Sequence, residues 1–323
     1  MTRAQGASSD AGRVDSRQST VDRSLPAVGV RAWGSVLPEP GGRLPEDLEP
    51  ISSPLLGRRF RKIGRFIKLA LCGAARAVQS AGLVPPPDRT AVVFGTGIGN
   101  SIDMAGFCEA TLGGPTELFP SPIQFANAIG NSGAFYVAEA FQLTGPVIAL
   151  SQEDVSFECA LLAARDLLLS FDADFALVGG ADVYFGEEGA QRERMKLPGE
   201  LQVAFSEGSG WLLLERLGPE SKARLEHVFV GEAEPAQALR QAGGGPCALS
   251  VAARLEPRAE ELVAQVPQAV RLPSRGAWPT EHAGQLCRLL DRADGPAVFQ
   301  SVSATQDGFV GATRFARGAR GTR

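Results

Sequence analysis

Apolar positions along this chain follow two rhythms. Short unbroken runs, AVVF at 91–94, VIAL at 147–150, FALV at 175–178 and WLLL at 211–214, are each flanked by glycine or by Gly-Pro. Runs of this kind suit strands buried on both faces, as in sheets covered by helices. The second rhythm is helical. Val155, Cys159, Leu162, Ala163, Leu167 and Leu168 recur at helix spacing from Val155 to about Ser170. Leu69, Cys72, Ala75 and Val78 do the same within Leu56–Ala81. Strands alternating with helices predict an α/β fold.

The stretch Thr144–Asp182 organises the rest. Gly145-Pro146 turns into the VIAL strand, a polar elbow follows at Ser151-Gln152-Glu153-Asp154, and the long helix leads to a strand ending in Gly179-Gly180. Val147–Leu150 and Phe175–Val178 are expected to be neighbouring, parallel, central strands. The elbow would then lie at a carboxyl end, where open α/β sheets place ligands.

Along the rest of the chain, residues 1–25 are almost devoid of apolar side chains and predict a disordered tail. A first strand is expected at Ala27–Trp33, then a loop rich in proline and glycine. The helix Leu56–Ala81 begins with Arg58, Arg59, Arg61, Lys62 and Arg65, which suits either a solvated helix start or contact with anionic lipid or an acidic partner. Gly95–Asn100 lacks both dinucleotide spacing and a Walker lysine, so it predicts a tight strand-to-helix turn and no phosphate loop. Within Pro122–Gln142, Phe125, Asn127, Gly130 and Asn131 precede a predicted helix with Ser132 available as its N-cap. Later strands are expected at His227–Gly231, Cys247–Val251, Val298–Ser303 and Phe309–Phe315, with helices around Pro257–Val266 and His282–Arg292.

Charge and composition narrow the function classes. A formal net charge of −4 gives no reason to expect nucleic acid as a partner. No apolar run approaches the roughly 20 residues that span a bilayer, and no signal-peptide core is present. Five scattered cysteines, an odd number, predict reduced thiols and a cytoplasmic protein. No metal-ligand spacing and no cofactor motif is found, so none is expected.

Several blocks occur in a specific order. They are Ala81-Gly82-Leu83, the glycine-rich end of the 91–94 strand, Pro122-x-x-Phe125 with Asn127, Gly145-Pro146, Gly179-Gly180-Ala181-Asp182, and Glu207-Gly208-Ser209-Gly210 leading to Leu214-Glu215. This set resembles the β-ketoacyl synthase family of thiolase-like proteins. The resemblance implies a layered αβαβα core, with an N-terminal domain over 26–217 and an abbreviated C-terminal half over 218–323 that ends in a basic tail. It implies fatty acid or polyketide biosynthesis, an acyl carrier protein or acyl-thioester as partner, and a two-fold dimer, homo- or hetero-, in which the VIAL strand takes part. Phe135, Tyr136 and Phe141 are aromatics of the type enriched in interface cores.

Counting from Gly145-Pro146, the family's nucleophilic cysteine falls at Asp154. The family's His-Gly-Thr motif and its Gly-His motif are both missing. Trp278–Gly284 is similar to the second, but His282 is off position. Condensation needs a thiolate and donors for the charge that develops on a carbonyl. At a helix start Asp154 suits an N-cap, whereas as an acyl carrier it would form a labile anhydride. Cys159, five residues on, points about 140° away around the helix and suits a buried packing role. His227 is expected at a surface or strand edge, and His282 as a cap or partner contact. No intact catalytic set is expected. Three functions follow: a synthase-like partner or scaffold without condensing activity, comparable to a chain-length factor; an acyltransferase with a displaced nucleophile such as Cys159; or a protein that binds acyl-thioesters without reacting.

Overall fold

The computed structural model describes residues 27–39, 42–57, 60, 62–83, 86–112, 121–274, 276–292 and 294–318. The predicted disordered tail and the arginines at 58, 59 and 61 lie outside the described residues, as does most of the basic end of the chain.

Among the described residues ten strands form one continuous sheet. The first five are β1 (Val28–Val36), β2 (Thr90–Gly95), β3 (Val147–Leu150), β4 (Phe175–Asp182) and β5 (Gly208–Arg216). The second five are β6 (Ala223–Glu232), β7 (Cys247–Val251), β8 (Ala269–Arg271), β9 (Val298–Ala304) and β10 (Phe309–Arg317). Their order across the sheet is β3-β2-β4-β5-β1-β6-β10-β9-β7-β8. Read outward from the centre, both halves have the same plan: each half's third strand is at the edge and its first is at the middle. The join is short, since β1 and β6 pair only through Val28–Val30 and Ala223–Leu225.

Side-chain alternation sorts the core into layers. In the first half Ala91, Val93, Ala176, Val178, Leu212 and Leu214 face a central layer built on α6 (Ser156–Leu169) and α10 (Glu281–Asp291). Their neighbours Val92, Phe94, Leu177, Trp211 and Leu213 face outward onto α2 (Arg65–Ala81) and α5 (Ser132–Phe141). In the second half Leu249, Val302 and Val310 face α8 (Pro235–Ala242) and α9 (Ala259–Ala264). With the two halves of the sheet as its two strand layers, the order helix, half-sheet, helix, half-sheet, helix is the expected layered α/β architecture. Residues that alternate between two apolar clusters explain the unbroken apolar runs, because each strand needs cover on both faces. Close packing shows at Trp211, whose ring stacks on Phe94 at 5.4 Å. A Cβ on Gly179 would reach within 2.3 Å of that indole, so only glycine fits there.

The structure changes several expectations. Val147–Leu150 and Phe175–Val178 are not neighbours: β2 lies between them, parallel to both, and β3 is an edge strand with Val147 46% exposed. Local apolarity reports burial of faces and carries no information about lateral order. The helix expected from Leu56 starts later: α1 (Glu49–Leu56) ends at Gly57 in the left-handed conformation, and α2 begins only after Gly64. Arg65 does not sit free in solvent; it binds Glu207 at 3.0 Å through Nε. The residues ahead of the expected helix form a further short one, α4 (Pro122–Ala128), capped by Ser121, and the helix itself, α5, has Asn131 as its N-cap. Ser132 is the first residue of α5, and its hydroxyl donates to the Asn127 carbonyl.

Candidate functional site

The first turns of α6 and α10 converge at the carboxyl ends of β2, β4 and β9, where the two halves meet. The glycine-rich turn after β2 provides the floor. Thr96 Oγ1 and the backbone N–H groups of Gly97 and Ile98 donate to Asp182 Oδ1 at 2.8, 2.9 and 2.9 Å. The Thr280 N–H and hydroxyl donate to Asp182 Oδ2 at 3.0 and 2.8 Å. The nest of amides, a geometry suited to phosphate, thus holds a carboxylate of the protein's own. Gly97 is required here, because a Cβ would meet Pro279 at 2.2 Å and the Glu153 carbonyl at 2.7 Å.

The elbow between β3 and α6 carries Glu153 and Asp154. Glu153 has φ 47°, a left-handed conformation that is unusual for a side chain of this size. Asp154 does not cap α6, whose N-cap is Val155 with no side-chain bond. It is buried at 3% exposure and accepts from Arg254 Nε at 3.0 Å. The cause is tertiary: Arg254 reaches the elbow from the short 3-10 helix after β7 (Ala253–Arg258), so the carboxylate turns toward that charge and away from the helix end. Arg254 also donates to the carbonyls of Ala304, Lys196 and Met195 at 3.0, 2.8 and 2.6 Å. One guanidinium therefore ties the elbow, β9 and the loop after α7 (Glu188–Arg194) together. Glu153 adds an ion pair to Lys196 at 2.7 Å and accepts the Gln306 N–H at 2.9 Å.

Burial pushes the Asp154 carboxyl up to about 7, against the opposing pull of Arg254. Burial acts upward on Glu153 as well, but the hydrogen bonds from Lys196 and the Gln306 backbone outweigh it and hold this carboxyl below its usual range. A carboxylate so engaged is poorly placed to attack an acyl-thioester. Cys159 lies half-buried on α6, and burial raises its thiol to about 11, so almost no thiolate is present at neutral pH.

The two histidines lie apart. His282 neither caps α10 nor faces a partner; the N-cap is Thr280, and His282 is 2% exposed with Nδ1 3.0 Å from Glu158 Oε1. This buried contact couples the first turns of the two central helices. His227 lies half-buried on β6, within the stretch of the strand that β1 does not pair. The site unites Asp154 with Arg254, Lys196 and Asp182, and it brings neither Cys159 nor a histidine to the Asp154 carboxylate.

Sequence reasoning did not single out Arg254, Lys196 or Glu158. Arg254 follows directly on an expected strand, a position where ligand-facing groups gather. Glu158 is a charge among apolar residues of α6, a pattern that marks a buried, paired carboxylate. Among the described residues no group of three metal-ligating side chains is found, and no helix is long and apolar enough to cross a membrane.

Residues 38–197 match the family model "Beta-ketoacyl synthase, N-terminal domain". No curated protein matches the sequence. Among solved structures, the ishigamide ketosynthase/chain length factor superposes with a TM-score of 0.72 at 21% identity, covering 91% of this chain and 100% of that one. A β-ketoacyl synthase from Burkholderia phymatum STM815 gives 0.70 at 13% identity, covering 91% and 100%. The AntDE:AntF complex, a type II polyketide synthase acyl-carrier protein with its hexaketide-bound ketosynthase, gives 0.65 at 14% identity, covering 90% and 99%. At these identities the structural likeness establishes the thiolase-like fold. With the family match over residues 38–197, it makes the N-terminal part of this chain similar in sequence to the β-ketoacyl synthase N-terminal domain, and the whole chain similar in fold to ketosynthases.

Proposed function

We propose that this protein is a synthase-like component of fatty acid or polyketide-type biosynthesis that performs no condensation and acts as partner or scaffold of an active β-ketoacyl synthase. The observation that carries this reading is the Asp154–Arg254 pair at the elbow. An acyl chain would need a thiolate at the carboxyl end of β3, and that place holds a buried carboxylate bound to a guanidinium which itself occupies three carbonyls. We take the two halves to divide between β5 and β6, at 217–218, and place the protein in the cytoplasm.

A paired state fits the shape of the first half. β3 is an open edge, and Val147 and Phe135 are 46% and 58% exposed beside it. Phe135 packs edge-on against Tyr136 at 5.4 Å and leaves its outer face uncovered. An exposed apolar patch next to an unpaired strand favours association. The solved structures named above include a ketosynthase/chain length factor and a ketosynthase with its acyl carrier protein, and by analogy a synthase and a carrier protein are the partners proposed here.

Incubation with acyl-thioesters followed by intact mass measurement tests the chemistry, and light scattering with candidate synthases tests the partnership. No mass gain and a stable complex are expected, and Asp154→Cys should restore little transfer. A stable acyl adduct that Cys159→Ser abolishes, or a monomer in every mixture, would overturn the reading.

A further inference from the structure

The second half leaves a strand edge open in the middle of the molecule. β10 pairs with β6 along its whole length, but β1 covers the other side of β6 only at Ala223–Leu225. From Glu226 to Glu232 that side has no strand partner among the described residues. A cleft of about 930 Å³ runs along it, walled by Leu162 and Arg165 of α6 and by α8 with the Gly243-Gly244 turn. Its size is that of a ligand site, and its length is that of an extended segment.

The charges of the cleft are unevenly matched. Arg224 and Arg314 share one carboxylate, binding Glu226 at 2.7 and 2.9 Å. Arg165 makes no hydrogen bond or ion pair among the described residues. His227 Nε2 is buried in the cleft wall with no hydrogen-bond partner. Glu232 is the other acidic group and lies exposed at the far end of the strand. Walls on both sides keep a second broad sheet from stacking edge to edge, so the opening admits a single thin strand.

We propose that the open edge of β6 binds an extended acidic peptide segment of a partner protein, added as a strand beside Glu226–Glu232 with one of its carboxylates against Arg165. Strand addition satisfies backbone groups that a small anion would leave unpaired, and alternate side chains then fall into the cleft. The basic wall selects acidic over basic segments. The inference does not depend on whether the elbow is catalytic.

The test is fluorescence anisotropy of the full-length chain with a short labelled peptide that alternates valine and glutamate. Controls are a lysine-for-glutamate peptide, a version N-methylated at alternate amides, and inorganic phosphate as competitor. Saturable binding of the glutamate peptide is expected, with the lysine version and the Arg165→Glu protein each weaker by about tenfold. N-methylation, which removes strand hydrogen bonds without touching the protein, should abolish binding. Arg165→Gln, which keeps the helix surface polar, should show an intermediate loss if Arg165→Glu disturbs folding. Absence of saturable binding, equal binding by Arg165→Gln, or equal binding by the N-methylated peptide would overturn the proposal. Full displacement of a still-binding N-methylated peptide by phosphate would show a simple anion site instead.

Discussion

The two halves of this protein share a strand order and differ in how much is built onto it. Between β1 and β2 the first half carries α1 and the seventeen-residue α2, whose Phe66–Val78 segment is almost wholly buried. Between β6 and β7 the second half has only the eight-residue α8. The β2–β3 connection holds α3 (Ser101–Leu112), α4 and α5, whereas the β7–β8 connection holds one short 3-10 helix and α9. The added elements complete the outer cover of the first half. The second half, with fewer, leaves a polar cleft beside β6. The lesson is that the strand order sets where the helix starts converge, and the connections decide what fills that place. Here they supply Arg254 and Lys196.

The halves are held together at the site by a few buried polar contacts, and removing these gives the largest expected effects. Asp182→Ala deletes the acceptor of five hydrogen bonds that join the Gly97 turn of the first half to Thr280 of the second. A loss of about 3–5 kcal/mol in urea unfolding is expected, because buried donors are left unsatisfied. A loss under about 1 kcal/mol would mean that water replaces the carboxylate and that the halves do not rely on it.

Arg254→Ala should cost slightly less, about 3 kcal/mol, because it strands Asp154 in a dry site. Adding Asp154→Ala to that variant should recover part of the loss, and a double-mutant cycle measures the coupling. Additive losses would show that the two side chains act separately.

The same pair predicts a pH dependence. The folded-state value of Asp154 is raised to about 7, above its ordinary value near 4. Between those values the folded protein holds a proton that the unfolded chain has released. Stability should therefore fall as pH rises from about 4 to about 7 and be flat in this term above it, by a few kcal/mol at most. Asp154→Asn should remove that slope in unfolding curves measured across the window.

The smallest effect belongs to Cys159. Cys159→Ser should change stability by about 1 kcal/mol or less. Its thiol should resist alkylation at neutral pH, since burial raises it to about 11. Rapid alkylation, followed by mass spectrometry, would reopen the displaced-nucleophile reading.

How much was legible beforehand differs between elements in a physically sensible way. AVVF, FALV and WLLL announced strands because each needs cover on both faces, and that need is written in consecutive residues; VIAL announced one as well, although at the sheet edge it is only partly covered. Cys247–Val251 was placed to the residue for the same reason. The break at Gly57 and the short α4 were harder, because the apolar period of α2 carries no mark of where the helix starts and α4 is only seven residues long. Asp154 could be found by counting from Gly145-Pro146, but its role could not. The local rules favour a cap for an aspartate at a helix start, and they hold only when no stronger partner arrives.

The sequence alone determined the class of fold, the family that its N-terminal part resembles, and the absence of cysteine at the elbow, because these depend on residues close together in the chain. The tertiary structure alone decided that β2 separates β3 from β4, that Arg254 crosses from the other half to take Asp154, and that Asp182 fills its own glycine nest. The open edge of β6 belongs with these. In each case the partners lie far apart in sequence, up to 100 residues for Arg254 and Asp154. Such pairings are set by the direction in which strands leave the sheet, and local periodicity does not encode it.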